Sequence, residues 1–287
     1  MNASLLPVVL CLFSAITVAT VNVLVKRGGD ILTARMIVSV VMALTVLPFV
    51  PFFPMPPLST LPLLGASMVS HWMYQFCLVR AMHRGDLSLV YPVMRGLGPL
   101  ATAIFATFIL SEHLAPLQAM GLFCASFAIL FFALPTAATQ EGRSLDRQAL
   151  IWAALTAVGV GLYAVNDTRA ARAMSHPMTF VIVLFLIDWV GVTIAYLWQR
   201  RGRYLETLRP QLRAGVWGGI AGSLSYGMAI FAYTMTDAAM VTALRETSVV
   251  FAAAMGAWLL KENFGARRIV AASVLATGLV LMQAGAA

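Results

Sequence analysis

Residues Asp86–Leu110 read DLSLVYPVMRGLGPLATAIFATFIL, and from Leu87 onward the run is apolar enough to cross a bilayer. A helical span takes about 20 such residues. This one carries Arg95, which at about 1.5 Å per residue lies roughly 12 Å from the helix start. A charge that deep costs on the order of 3 kcal/mol by insertion scales, so it faces a cavity or a partner rather than lipid. Pro92 and Pro99 flank it, each removing a backbone donor and loosening the helix locally. Gly96 and Gly98 let another backbone, or a ligand, come close.

The pattern returns later in the chain. A shift of 150 places Arg95 on Arg245, Leu110 on Leu260 and Glu112 on Glu262, and a shift of 151 places Ala81 on Ala232 and Asp86 on Asp237. The second copy reads DAAMVTALRETSVVFAAAMGAWLLKEN. The chain therefore reads as two related halves, residues 1–137 and 148–287, joined by the polar stretch Thr136–Arg147.

Composition sets the class. Of 287 residues 61% are hydrophobic and 10% charged, against about a quarter charged in a water-soluble globule. The apolar runs are continuous rather than alternating, which selects helices over a barrel. The net charge of +8 does not point to nucleic acid, because the positive residues sit at span ends, where they set orientation. Cys11, Cys77 and Cys124 lie in apolar runs and give neither a disulfide framework nor metal-ligand spacing. Leu5–Val25 is too long for a signal-peptide core and lacks a cationic leader, so we read it as a retained span.

Ten runs qualify as spans: Leu5–Val25, Ile31–Phe49, Leu61–Ala81, Leu87–Leu110, Leu117–Leu134, Ala149–Val165, Met178–Trp198, Ala214–Met235, Ala238–Leu260 and Ile269–Gln283. The sixth is short, and the repeat decides for ten over nine. Five spans per half is an odd number, so the second half enters from the opposite side of the membrane. The expected fold is all-α, ten transmembrane helices in two inverted five-helix repeats. Inverted repeats place a binding site near the midplane between the copies. Of the 19 Lys and Arg, all but Arg95, Arg245, Arg169 and Arg172 lie in or beside odd-numbered loops. That asymmetry puts those loops in the cytoplasm and both termini outside. The loop PFVPFFPMPP after span 2 is read as a stiff connector, its prolines forbidding a regular helix.

Ten spans in two halves, a proline-bearing fourth span, and Leu110-Ser111-Glu112 matched by Leu260-Lys261-Glu262 resemble the EamA type of the drug/metabolite transporter superfamily, over nearly the whole chain. GDLSLVYPVMRGLGP and ALRETSVVFAA are similar to a bacterial subgroup, some of whose members are associated with phosphonate use. The resemblance implies an inner-membrane exporter or exchanger of small metabolites, amino acids among them, through a central cavity between the halves. This chain departs from the family in one respect: many members start with basic residues and keep their termini in the cytoplasm, whereas this one starts Met-Asn-Ala-Ser and has the opposite charge bias.

Arg95 and Arg245 are the leading substrate-site candidates: cationic groups able to hold a carboxylate, phosphonate or phosphate by charge-assisted hydrogen bonds. The alternative is a fixed structural pair or a snorkelling side chain. Glu246 follows Arg245 directly, so the two diverge by about 100° on a helix and need not pair. Glu246 and Asp188 are carboxyls inside apolar runs, able to take up a proton in a transport cycle or to serve as ion-pair partners. His71, Tyr74 and Gln75 share a helix face, as a cavity-lining stripe or a packing stripe. Tyr91 stands one turn before Arg95, beside a bound metabolite or as an interfacial anchor. Asn22 and Asn166 hold corresponding places in the two halves, as ligand contacts or interhelical glue. The four histidines show no metal spacing.

The expected partners are a small-molecule substrate and the lipid bilayer, with no cofactor, metal or nucleic acid, and a monomer suffices to form both halves of a site. Efflux of cationic drugs is the alternative within transport. An intramembrane enzyme or a scaffold is the alternative outside it, and no HExxH, GxSxG or paired-aspartate motif supports the enzyme.

Overall fold

The computed structural model describes residues 5–28, 30–84, 87–133, 147–251, 254 and 266–286. Among them there is no strand. The α-helices are α1 Leu6–Gly28, α2 Ile31–Val46, α3 Leu61–Arg84, α4 Leu87–Phe105, α5 Pro116–Ala133, α6 Arg147–Arg172, α7 Pro177–Gln199, α8 Tyr204–Tyr233, α9 Ala238–Arg245 and α10 Ala266–Ala286. Among the described residues, five stretches, Ile31–Phe52, Val93–Leu110, Arg147–Arg172, Pro177–Gln199 and Ile269–Ala286, are long and apolar enough to cross a membrane, and Leu6–Val21 and Pro116–Phe131 are shorter apolar helices. Asp86, the Thr136–Asp146 junction and the Leu260-Lys261-Glu262 motif lie outside the described residues.

Three expectations are corrected. The sixth helix is not short: its 26 residues carry Asn166 and Asp167 inside the helix rather than after it. The prolines after α2 admit a tighter turn, a 3₁₀ helix over Leu47–Phe52 with Pro51 inside it. The ninth span is interrupted, because α9 ends at Arg245 and Glu246–Thr247 form a turn before helix resumes at Ser248. The fourth span, by contrast, runs as α-helix through Pro92 and Pro99 and changes only at a π-helical turn, Ala106–Leu110, closed by Ser111 at φ 57°.

Two compact units emerge, and each draws on both sequence repeats. The first comprises Leu6–Trp72 and Asn166–Thr236, the second Met73–Val165 and Asp237–Ala287 with Met1–Leu5. The first therefore holds α1, α2, α7 and α8, and the second α4, α5, α9 and α10, while α3 and α6 give one part to each.

Helices pack closely where side chains are small. In the first unit α8 lies on α2 with a Cβ placed on Gly219 only 2.5 Å from Val41 Cβ, so a larger residue there would collide. Gly218 and Gly222 of the same face meet Val38 and Met42, which makes this small-residue face an intramolecular contact. Ser14 of α1 and Ser225 of α8 each donate to the other's carbonyl, at 2.7 and 2.8 Å. In the second unit the α5 and α10 backbones touch: a Cβ on Gly121 would stand 2.4 Å from the Gly278 carbonyl oxygen.

Helix ends are satisfied by specific groups. Asp30 caps α2, accepting from the Thr33 amide at 3.3 Å and its hydroxyl at 2.7 Å. Arg200, at the end of α7, donates to both Asp30 oxygens at 2.9 and 3.0 Å. Arg172 donates to the carbonyls of Tyr233 and Thr236, at 3.0 and 2.9 Å, closing the end of α8.

Burial works to raise the Asp30 carboxyl, but the Arg200 and Thr33 hydrogen bonds outweigh it and hold it down to about 2, from 3.8. A depressed carboxyl stabilises the fold above its unfolded value, and the gain is lost as pH falls through the folded value. Asp30→Asn keeps the cap and removes the charge. It should therefore cost about 1 kcal/mol above pH 4, after allowance for solvent screening, and nothing near pH 2. Unfolding of both forms in detergent from pH 2 to 7 checks this; a gap that stays constant across the range would contradict it.

Candidate functional site

In the second unit the broken ninth span faces α4. Arg95 Nη1 donates to Glu246 Oε1 at 3.1 Å, with the side chains 17% and 3% exposed. The carboxyl next to Arg245 in sequence is thus the partner of Arg95, from the other repeat. Arg245 is 9% exposed, and its charge also bears on Glu246. Two guanidinium groups therefore act on one carboxylate.

The interruption places these groups. The Glu246 amide is shared between the Thr242 and Ala243 carbonyls, and the Thr247 amide goes to Leu244 at 3.2 Å. After the turn, Val249 and Val250 bond three residues back, to Glu246 and Thr247. This tightened ladder is tolerated at membrane depth only inside protein or beside a water-filled space. Among the described residues, Glu246 Oε2 and Ser248 Oγ are buried without a hydrogen-bond partner. Native structures leave few such groups, and each calls for an explanation. The start of α9 is held from the segment after the π-helical turn: Glu112 Oε2 accepts from the Ala238 amide at 2.9 Å. Gln118 Nε2 donates to Asp237 at 3.3 Å.

The first unit has its own buried polar cluster. Asp167 of α6 is fully buried. It accepts from Ser67 on one oxygen and from Tyr226 on the other, and His71 Nε2 lies 2.9 Å from that second oxygen. Tyr226 OH is also 3.3 Å from His71 Nε2. Asn166 Nδ2 donates to Ser70 Oγ at 2.8 Å and Ala66 O at 3.5 Å, joining α6 to α3. Asp188 of α7 accepts from Ser39 at 3.4 Å.

The residues singled out from sequence thus separate. Arg95, Arg245 and Glu246 belong to one group in the second unit. His71, Asn166 and Asp188 belong to the polar cluster of the first. Tyr74 sits in the second unit edge-on to Tyr163, with ring centroids 5.2 Å apart, and Gln75 is half-buried on α3. Asn22 and Tyr91 lie on α1 and α4, and their side chains fall outside the described part. Sequence reading assigned no role to Asp167, Tyr226 or Ser67. A signal was available: Arg169 and Arg172 are the basic residues that favour a helix C-terminus, so α6 could have been carried past Asp167.

A chain of apolar helices, with an ion pair buried at a helix break and a carboxylate cluster buried elsewhere, has the makings of a multi-pass membrane carrier of small molecules. The EamA-like transporter family matches it twice, over residues 5–134 and 147–283, and the chain belongs to that family. This establishes the ten-helix, two-repeat architecture expected from the sequence. A solved structure titled "Crystal structure of protein" is similar in fold, with TM-score 0.70 and 16% identity over 98% of this chain and 97% of its own. No curated protein matches the chain.

Proposed function

We propose that the protein is a secondary transporter of small zwitterionic or anionic metabolites, amino acids and phosphonates being the leading classes, working by alternating access across the inner membrane. The observation that carries this reading is the Arg95–Glu246 pair at the break after α9, with Arg245 beside it and polar atoms of Glu246 and Ser248 left without partners. A carboxylate or phosphonate would take charge-assisted bonds from the guanidinium groups and the Ser248 hydroxyl. An ammonium group would satisfy Glu246 Oε2. Interrupted membrane helices are where transporters of several folds hold their substrates. The repeats, residues 1–137 and 148–287, would each supply one arginine, so a single chain completes the site. The cytoplasmic assignment of the odd loops, with external termini, belongs to the same proposal.

Proteoliposomes test it. Radiolabelled amino acids and phosphonates should enter with saturable, compound-selective kinetics, absent from protein-free vesicles. Equal flux in both vesicle types across the panel would remove the transport reading. Selective flux of organic cations alone would replace the substrate class by drug efflux.

A further inference from the structure

We propose that His71 and Asp167, with Tyr226, form a proton-binding site in the first unit, separate from the Arg95–Glu246 group. The inference deepens the transport reading, since a site of this kind would supply coupling to a proton gradient, but the site itself stands on its own geometry.

Five helices converge on it. Among the described residues the titratable and charged groups facing it are Arg35 from α2, His71 from α3, Asp167 from α6, Asp188 from α7 and Tyr226 from α8. Among the described residues, α1 meets α8 through the uncharged Ser14–Ser225 pair. Asp30 and Arg200 neutralise one another at the helix ends. With both carboxylates ionised, Arg35 offsets one of them. The second is offset when one further proton enters the cluster, and His71, in contact with Asp167, is the group that takes it in this proposal. Uncompensated charge in a buried site is costly, so the cluster changes between a balanced and an unbalanced state with a single proton.

The hydrogen bonds suit that exchange. His71 Nε2 faces Asp167 Oδ2 at 2.9 Å, and with Nε2–H donating to the carboxylate in both ring states the exchangeable proton sits on Nδ1. Tyr226 donates to the same Asp167 oxygen while its own oxygen lies 3.3 Å from Nε2. Ser67 holds the other carboxylate oxygen. The carboxylate is thus fixed by groups that can remain in place in both states. Ionisable residues enclosed in membrane helices are those that proton relays employ.

The test is an imidazole ¹⁵N NMR titration of the purified, histidine-labelled full chain in detergent. No substrate is needed. His71→Gln assigns the His71 signals among the four histidines. His71 should move between neutral and doubly protonated ring states within pH 5–9. In Asp167→Asn the midpoint should shift by about one pH unit or more, as expected on removing an opposite charge in contact. Tyr226→Phe, a milder change, should shift it less. A His71 signal that stays in one ring state through pH 5–9 in the wild type would overturn the proposal, whatever the variants do. Titration without flux would keep the proton site and reject transport; flux with a His71 that does not titrate would do the reverse.

Discussion

Glu246→Ala should lower stability by about 3–5 kcal/mol, the usual cost of removing one partner from a buried ion pair. The reason is the residue left behind. Arg95 is 17% exposed, and a guanidinium does not lose its proton in proteins. The double variant Arg95→Met/Glu246→Leu should recover most of the loss, because apolar residues of similar volume replace buried pairs at little cost. Unfolding of the two variants beside the wild type in detergent decides it. If the double variant is no more stable than Glu246→Ala, the pair is not the source of the loss.

Arg95→Ala should behave differently: well folded, but with transport reduced at least about tenfold. Here the survivor is a carboxyl, which can neutralise itself by taking up a proton instead of remaining charged in a dry site. The stability cost is therefore smaller than for Glu246→Ala, although both break the same contact. If the two guanidinium groups hold substrate as proposed, losing one removes a charge-assisted bond, and truncating a buried hydrogen-bonded charge costs about 2–5 kcal/mol of binding. Size-exclusion profile and flux in proteoliposomes, measured on one preparation, separate the two effects. Wild-type flux in a folded Arg95→Ala protein would confine Arg95 to a structural role.

These contrasts show which features the sequence made legible. The spans could be read because bilayer crossing imposes a length and an apolarity on every helix. Arg95 and Arg245 could be read because a charge inside such a run has few explanations. Glu246 could be read as an ion-pair partner, but not which arginine it meets: it is adjacent to Arg245 in sequence, and only the approach of α4 to the end of α9 gives it to Arg95. The interruption at Glu246–Thr247 was hidden because no proline or glycine marks it. Asp167 was hidden by the polar run Asn166-Asp167-Thr168-Arg169, which resembles a loop, although tertiary hydrogen bonds from α3 and α8 satisfy it inside a helix. The small residues of α8 form an internal packing face, since Gly218 and Gly222 meet α2.

The role given to the arginines is tested most directly by equilibrium binding of a transported acid and its methyl ester to purified wild type and Arg245→Gln. The acid should bind the wild type at least about tenfold more tightly than the ester, a difference of about 1.4 kcal/mol, and Arg245→Gln should bind the two nearly alike. Equal binding of acid and ester by the wild type, or undiminished preference in Arg245→Gln, would contradict substrate capture by these guanidinium groups.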